Sequence, residues 1–500
     1  LEQLRVSDGV IDVAALAALE APFEQLELAV NDLWETLADA DSPWLVGPVQ
    51  DRLATSRDRA DQLGPQATAL ASAARNLPDM LGAEEPRRYF LAFVNPAEAR
   101  AHSGLMGNWS ELTIDDGRLR VTRNGRTAQL QGALNRKDVF VDQPPEFFDR
   151  LGPVGAGDPP EVPVQPDLWA NITSSPDMAT VGPVMATMYE AEAGHPVDGV
   201  FVVDPAGIAA LLRITGPIEI DEVDEELTAE NVEQFLLLDQ YELPEGEREV
   251  LLEAVTDATI DRVLTSTLPA PQELVQAMAD VALHGHISAW ADDDDEQALF
   301  RQVGMDATLP RVGPSAWTGD ALALLTDNGN PNKIDSFLHR EVDYDVVVDR
   351  DTGAVEATLR VTLRNEAPAR GYEDYVIGNT YGFEPGSNRT VLTIMTPHEL
   401  VEFRNDGVEQ IPVRGTELGW NTLQMIVVVP SDGGTVTLEA ELRGEVPPES
   451  YSLFLRPQPL PNPDVLDIRV VERGGDEILH RTEPILRRRV LDAAGAHAWR

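Results

Sequence analysis

The stretch between positions 95 and 108 holds the side chains best suited to binding an anion. It is a turn-rich stretch that predicts a loop, and it follows residues 89–94, a continuous apolar run that predicts a buried strand. Ligands of α/β sheets bind at the carboxyl ends of strands, where Arg100 could pair with a phosphate or a carboxylate. An internal salt bridge between Arg100 and Glu98 or another nearby acid is the alternative. We take Arg100 as the candidate catalytic residue, and the candidate ligand-binding residues around it are Asn95, Ser103, Gly104, Gly107 and Asn108.

A second candidate contact is Lys333, one of only two lysines in the chain. It lies in residues 327–335, where asparagine, glycine and aspartate supply turn geometry. Lys333 could contact a ligand, or it could be a buried anchor paired with Asp335 or a carbonyl at a domain junction. Both interpretations stay open.

Two aspartates are candidate ligands for a divalent cation such as Mg²⁺. Asp177 follows a Ser-Ser-Pro turn, where an aspartate equally serves as a helix cap. Asp198 precedes Gly199 within a predicted strand, and a glycine there indicates either close packing or the approach of a ligand. The acidic run at residues 292–296 lacks the spaced pattern of a calcium loop, which favours a solvated turn.

Composition excludes several classes of protein. There is no cysteine, so disulfides, thiolate metal sites and a cysteine nucleophile are excluded. No His-x-x-x-His or His-Glu pattern supports a zinc site, and no Walker loop, dinucleotide fingerprint or Gly-x-Ser-x-Gly motif occurs. The formal net charge of −48 repels nucleic acid and anionic headgroups. Within residues 221–257, fourteen acidic residues accompany a single basic one, Arg248.

The pattern along the chain predicts three parts. Residues 1–85 carry two apolar seams with coiled-coil spacing, which predict an α-helical hairpin that Gly64-Pro65 should kink or split. Residues 86–338 predict an α/β domain. Residues 339–500 carry short alternating strands that predict an all-β sandwich. The two seams are Leu16, Leu19, Phe23, Leu26, Val30, Leu33 and Leu37, then Ala60, Leu63, Ala67, Leu70, Ala74 and Leu77.

Within the α/β part, the elements are placed by turn signals and apolar runs. Residues 110–121 contain Asp-Asp-Gly between two strands, a hairpin signature. Helices are predicted at 182–193, 205–212, 228–238, 251–264 and 271–283. Strands are predicted at 197–203 and 218–220, which with the helix between them would form a βαβ unit.

Several of these segments resemble a bacterial family catalogued as domain of unknown function 4012. The resemblance covers roughly residues 1 to 350 in unbroken order. The family commonly shows Arg-Pro-Thr-Gly-Gly-Phe where this chain has Arg-Ala-His-Ser-Gly-Leu at residues 100–105. The segments that carry the resemblance are Tyr89–Arg100, Ser103–Gly107, Asp115–Leu119, Asp167–Asp177, Val197–Val200 with Asp204-Pro205, Thr215–Pro217 and Asn332–Asp335.

That family is in turn distantly similar to LytR-CpsA-Psr proteins, which transfer glycopolymers from polyprenyl-pyrophosphate carriers. The resemblance implies an extracytoplasmic protein at the cell surface, with Arg100 on phosphate and Asp177 or Asp198 on Mg²⁺. The chain opens at Leu1, so we expect any membrane anchor to lie upstream. The alternative is a non-catalytic structural, assembly or adhesion protein that contacts other envelope proteins. Whether the chain is an enzyme stays open.

Overall fold

The computed structural model describes residues 10–40, 47–134, 168–266 and 277–498, together with 139, 141, 146 and 147. Within these ranges, positions 222, 224, 244, 279, 449–450, 476, 485–488 and 493–494 are excepted. The helix predicted at 271–283 lies largely outside the described residues. Among the described helices, none has both the length and the apolar character needed to cross a bilayer.

The N-terminal region is an antiparallel helical hairpin. Two hydrogen bonds show that its long helices run in opposite directions. Near the end of the first helix Trp34 Nε1 donates to Asp61 Oδ1 at 2.8 Å, and near the end of the second Arg75 Nη2 donates to Glu24 Oε1 at 2.9 Å. The prediction of a hairpin is confirmed by these contacts. Its helices are α1 (Val13–Ala17), α2 (Glu20–Asp39) and α3 (Gly47–Met80).

Two details of the hairpin differ from the sequence prediction. Helix α3 runs through Pro65 without a break, so the predicted split was wrong. The second difference concerns burial: Ala74 of α3 is buried, whereas Leu26 and Leu33 of α2 remain 42% and 46% exposed. The C-terminal part of α3 packs on the central region around Phe300, whereas α2 has no buried residue.

The central region is built on a five-stranded mixed sheet in the order β3-β2-β1-β4-β5. Strands β1 and β4 are parallel and the other pairs are antiparallel. The predicted hairpin is confirmed, with Asp116 and Gly117 at positive φ in its turn. The strands are β1 (Arg87–Ala99), β2 (Gly104–Asp115), β3 (Arg118–Arg126), β4 (Gly199–Val203) and β5 (Ile287–Ala291).

Two local predictions in this region were wrong. The stretch from 95 to 108 is mostly strand, since β1 continues to Ala99 and β2 begins at Gly104. A register shift after Asn95 accommodates the strand end, and a Cβ on Gly104 would lie 2.1 Å from the Asn95 backbone. Residues 218–220 form no strand, because only Ile218 bridges to Leu227. The parallel partner of β4 is β1 instead.

Helices cover both faces of this sheet. One face holds an aromatic core that includes Phe90, Trp109 and Tyr189, and the other holds an aliphatic core around Val203 and Leu251. The acidic run at 292–296 starts a helix, since the Asp293 carboxylate accepts from two backbone N–H groups. The helices are α4 (Thr127–Leu134), α5 (Leu168–Asn171), α6 (Met178–Ala193), α7 (Pro205–Thr215), α8 (Val232–Leu237), α9 (Glu245–Thr265) and α10 (Asp294–Gln302).

The C-terminal region is β-rich, with two seven-stranded sheets and a one-turn helix, α11 (Asp374–Ile377). Buried residues from both sheets, such as Ile394 and Val361, belong to one hydrophobic cluster. The first strand, β6 (Asp320–Asn328), precedes the boundary predicted at 338/339 yet pairs with strands of this region.

One sheet has the order β11-β10-β14-β8-β7-β16-β17 and the other β12-β13-β9-β6-β15-β18-β19. The remaining strands are β7 (Leu338–Val348), β8 (Ala354–Asn365), β9 (Asn388–Thr396), β10 (Glu399–Asn405), β11 (Val408–Glu409), β12 (Val413–Glu417), β13 (Trp420–Val429), β14 (Gly434–Glu445), β15 (Ser452–Arg456), β16 (Val465–Glu472), β17 (Glu477–Pro484), β18 (Arg489–Asp492) and β19 (Gly495–Ala498).

Candidate functional site

A cavity of about 240 Å³ opens beside the carboxyl ends of β1 and β4. We call it the Lys333 pocket. Helices α8 and α9 close one side, and residues near Lys333 and Tyr375 close another. Its apolar wall consists of Phe93, Val94, Leu105, Val203, Pro205, Ile208, Leu236 and Val255. The position agrees with the rule that ligands of open α/β sheets bind at strand carboxyl ends.

The polar lining of the pocket is locally cationic. Three basic side chains, Arg126, Arg248 and Lys333, face a single carboxylate, that of Glu98. The whole chain has the opposite balance, with 86 acidic and 38 basic residues. The positive potential of this cavity opposes the negative potential of the surrounding surface. An anion is therefore concentrated in the cavity.

Lys333 is buried and held in place by three side chains. Its ammonium pairs with the Glu98 carboxylate and lies 4.5 Å from the Tyr375 ring centroid and 5.4 Å from that of Tyr241. Burial alone would lower the pKa of Lys333, but the Glu98 carboxylate and the two tyrosines raise it above its ordinary value. Lys333 therefore carries its charge at neutral pH. In the structure the partner of Lys333 is Glu98, instead of the predicted Asp335.

Arg248 of α9 stacks over the same two rings, 5.0 Å from the Tyr375 centroid and 5.6 Å from the Tyr241 centroid. Its Nε and Nη1 atoms are buried and have no hydrogen-bond partner among the described residues. A guanidinium with unused donors at a cavity can donate charge-assisted hydrogen bonds to phosphate oxygens.

Three further predicted residues line the Lys333 pocket, namely Asn95, Gly107 and Asn108. Asn95 Nδ2 donates to the Tyr241 hydroxyl at 2.9 Å, and Asn95 Oδ1 accepts from Ala97 N at 2.9 Å. A Cβ on Gly107 would meet no atom within 4 Å, so this glycine borders open space. The structure thus brings Lys333 together with three of the five ligand-binding residues predicted around Arg100.

Arg100, Ser103 and Gly104 lie elsewhere. Arg100 Nη1 donates to the Ala99 carbonyl at 2.8 Å and to the Asn328 carbonyl at 3.3 Å, and it does not line the pocket. Ser103 Oγ donates to Asp204 Oδ2 at 3.2 Å. The β-rich region covers Arg100 through Asn328 and Gln458, whereas Ser103 and Gly104 pack within the central region itself.

The two predicted metal ligands are not brought together. Asp177 is buried and accepts from Thr180 Oγ1 at 2.6 Å and from Leu309 N at 2.9 Å, and burial raises the pKa of its carboxyl. Asp198 accepts from Arg88 N at 2.7 Å and pairs with Arg87 at 3.1 Å. No group of three potential metal-binding side chains exists among the described residues. This donor set does not fit Mg²⁺, which needs several clustered oxygen ligands.

A buried acidic cluster next to the pocket escaped sequence reasoning. Asp204 Oδ1 caps α7 by accepting from Gly207 N at 3.1 Å, and its Oδ2 lies 2.7 Å from His286 Nδ1. Burial lowers the pKa of His286, but the Asp204 carboxylate outweighs this effect and raises it overall. Burial also raises the pKa of Glu233 nearby. No local motif marks this cluster, since Asp204, Glu233 and His286 come from three separate segments.

Sequence reasoning also missed Arg126, Tyr241, Arg248 and Tyr375 of the pocket. Arg248 did leave a signal, as the lone basic residue of an acidic segment. The tyrosines left none, because Tyr375 reaches the pocket from the C-terminal region, far away in sequence.

Residues 84–241 match the model of the family described as "Protein of unknown function (DUF4012)". The family resemblance noted from the sequence is thereby confirmed for that segment. A search of the curated proteins found no match.

Solved structures similar to this chain include TagV from Bacillus subtilis, with 13% identity, 46% of this chain and 89% of that chain covered, and a TM-score of 0.22. The transcriptional regulator yvhJ from Bacillus subtilis is 12% identical, with 46% of this chain and 87% of that chain covered, and a TM-score of 0.20. Protein gbs0355 from Streptococcus agalactiae is 13% identical, with 44% of this chain and 74% of that chain covered, and a TM-score of 0.23. At these TM-scores the alignments carry no argument about function, which therefore depends on the pocket itself.

Proposed function

We propose that this chain is an extracytoplasmic cell-envelope protein that binds a lipid-linked phosphate in the Lys333 pocket, such as a polyprenyl pyrophosphate or a phosphorylated glycopolymer. The observation that carries the proposal is the composition of the pocket lining. Three cations and one carboxylate lie beside a continuous apolar wall, in a chain whose net charge is −48. A ligand with an anionic head and an apolar tail matches both parts.

The two parts of the ligand would bind by different physical effects. Arg248 and Lys333 would bind phosphate oxygens through charge-assisted hydrogen bonds, which are roughly twice as strong as neutral ones. The apolar wall would bury the first isoprene units, at about 0.8 kcal/mol per buried CH₂ group. The cavity of about 240 Å³ is smaller than a typical ligand pocket, so a long tail would continue outside it. The proposal concerns binding and includes no transfer step.

Calorimetric titration with farnesyl pyrophosphate tests this proposal, with inorganic pyrophosphate and farnesol as separate probes. We expect the parent chain to bind farnesyl pyrophosphate more tightly than either fragment, because only the intact probe uses both parts of the pocket. Arg248→Met should weaken this binding at least tenfold, or about 1.4 kcal/mol. The double variant Lys333→Met/Glu98→Gln should do the same without leaving an unpaired buried carboxylate.

Two arginine variants serve as matched controls. Arg213→Met changes an exposed residue in the last turn of α7 and should leave binding unchanged. Arg100→Met tests the sequence prediction directly, and we also expect unchanged binding from it. Absence of any heat with farnesyl pyrophosphate would refute the proposal. If Arg100→Met were the only variant to lose binding, the ligand would bind at position 100 and not in the Lys333 pocket.

The helical hairpin supports a second candidate function, protein assembly. Leu28 of α2 is 68% exposed, and Leu26, Leu33 and Trp34 on the same helix are also exposed. Apolar side chains grouped in this way on one element mark sites of protein contact. Sedimentation of the intact chain against a Leu26→Asp/Leu33→Asp variant separates the two functions, since only assembly through α2 depends on these residues.

A further inference from the structure

A second cavity, of about 450 Å³, lies in the C-terminal region along the segment between β8 and β9. We call it the 366–387 cleft. It is distinct from the Lys333 pocket, and the proposed function does not use it. Its lining is Pro331, Ala369, Arg370, Gly371, Tyr372, Asp374, Ile377, Gly378, Asn379, Thr380, Phe383 and Pro385.

The cleft is held in shape by hydrogen bonds from the 327–335 turn. Asn330 Nδ2 and Asn332 Nδ2 donate to the Gly378 carbonyl at 3.1 and 2.7 Å. In return, Thr380 donates to Asn330 Oδ1 from its backbone N at 3.2 Å and from its Oγ1 at 2.7 Å. A cleft fixed in this way loses little conformational entropy when a ligand binds.

Two aromatic rings line the cleft and remain open to solvent. Tyr372 is 39% exposed and Phe383 is 41% exposed. The Tyr372 ring is oriented by an edge contact with Phe337, with centroids 5.3 Å apart. Tyr381 follows within the same segment and is 60% exposed. Grouped exposed aromatics on a soluble surface usually mark a binding site.

The polar groups of the cleft are nearly neutral as a set. Arg370 and Asp374 contribute one charge of each sign, and Asn379 and Thr380 contribute amide and hydroxyl groups. The Asn379 Nδ2 atom is buried and has no hydrogen-bond partner among the described residues. A ligand hydroxyl that accepts a hydrogen bond from this amide would make binding more favourable, because the buried donor would then have a partner.

We propose that the 366–387 cleft binds a carbohydrate. A pyranose ring has one face of C–H groups, which stacks on an aromatic ring, and hydroxyls that pair with amides. The cleft supplies both, through Tyr372 and Phe383 on the one hand and Asn379 on the other. An anionic head group fits it less well, because Arg370 is balanced by Asp374. The site does not depend on phosphate binding in the Lys333 pocket.

Saturation-transfer NMR with three probes, cellohexaose, maltohexaose and chitohexaose, tests the proposal on the full chain. We expect at least one probe to bind, and Tyr372→Ala and Phe383→Ala each to weaken that binding at least tenfold. Tyr372→Phe should keep it, because the stacking face remains. Both alanine changes affect exposed side chains, so the fold should be retained, as a melting curve can verify.

Trp34→Ala is the matched control, since Trp34 is an exposed aromatic residue on the distant hairpin. It should leave carbohydrate binding unchanged. No binding of any of the three probes overturns the proposal, and so does binding that Tyr372→Ala and Phe383→Ala leave intact. Farnesyl pyrophosphate binding by Phe383→Ala reports on the other site separately, so failure of one proposal is distinguishable from failure of the other.

Discussion

The Lys333 pocket and the covered β1–β2 turn both hold charged side chains, but the extent to which these charges are paired differs. At the turn, Asp335 Oδ2 accepts from Ala99 N at 3.0 Å, and Gln458 Nε2 donates to the Arg100 carbonyl at 2.8 Å. Nearby, Arg340 forms two hydrogen bonds with Asp464, at 2.5 and 2.7 Å. We call this buried polar area the junction; it includes the contacts between the central and C-terminal regions and the Arg340–Asp464 pair within the C-terminal region.

In the pocket, cations outnumber carboxylates, and among the described residues the Arg248 guanidinium has two buried donor atoms without a hydrogen-bond partner, whereas Arg100 at the turn has one, Nε. Burying a charge is costly unless it is paired, so the paired charges of Arg340 and Asp464 belong to the buried interior of the C-terminal region. A charge left partly unpaired beside a cavity adds little to folding and remains available to a ligand. The difference teaches that pairing, rather than the presence of an arginine, separates a structural site from a binding site.

The largest effect is expected from Arg340→Met in the junction. Removing the guanidinium leaves the Asp464 carboxylate buried and unpaired, which should cost about 3–5 kcal/mol of unfolding free energy. Denaturant unfolding of parent and variant measures it. The double variant Arg340→Met/Asp464→Leu should recover most of the loss, and Arg360→Met, whose partner Glu439 lies 2.8 Å away at the surface, should cost less than about 1 kcal/mol.

An intermediate effect is expected from pH at Asp335. Burial raises the pKa of Asp335 to about 6, above the roughly 3.9 of an unfolded chain. The folded state therefore binds this proton more tightly, and the resulting stability is complete below about pH 4 and lost as the pH rises through 6. At about 1.36 kcal/mol per pKa unit, the loss is about 3 kcal/mol.

Asp335→Asn cannot ionise, so it should remove this dependence. The measurement is the difference in unfolding free energy between parent and variant from about pH 4 to 7. An equal pH dependence in both proteins would show that Asp335 is not the group responsible.

The smallest effect on stability is expected from Arg248→Met in the pocket. This arginine contacts the rings of Tyr241 and Tyr375, and such contacts contribute about 0.5–1 kcal/mol at partly exposed sites. Its removal should therefore change the unfolding free energy by about 1 kcal/mol or less. A loss as large as that of Arg340→Met would abolish the distinction between pocket and junction.

The sequence alone determined the elements whose patterns are local. Strict alternation predicted β7 and β8, the Asp-Asp-Gly turn predicted the β2–β3 hairpin, and the apolar run predicted the start of β1. It also singled out Lys333 and Asn95, because a rare residue type and a strand end are visible without a structure.

Only the tertiary structure decided which charged side chains are open to a ligand. Pro96 and Gly104 are typical of loops, yet here they lie in β1 and β2, and the C-terminal region covers the end of β1. Arg340 and Asp464 are paired across 124 positions of sequence. The physical reason is that local patterns encode the burial of a face, whereas the partner of a buried charge is brought to it by the folding of distant segments.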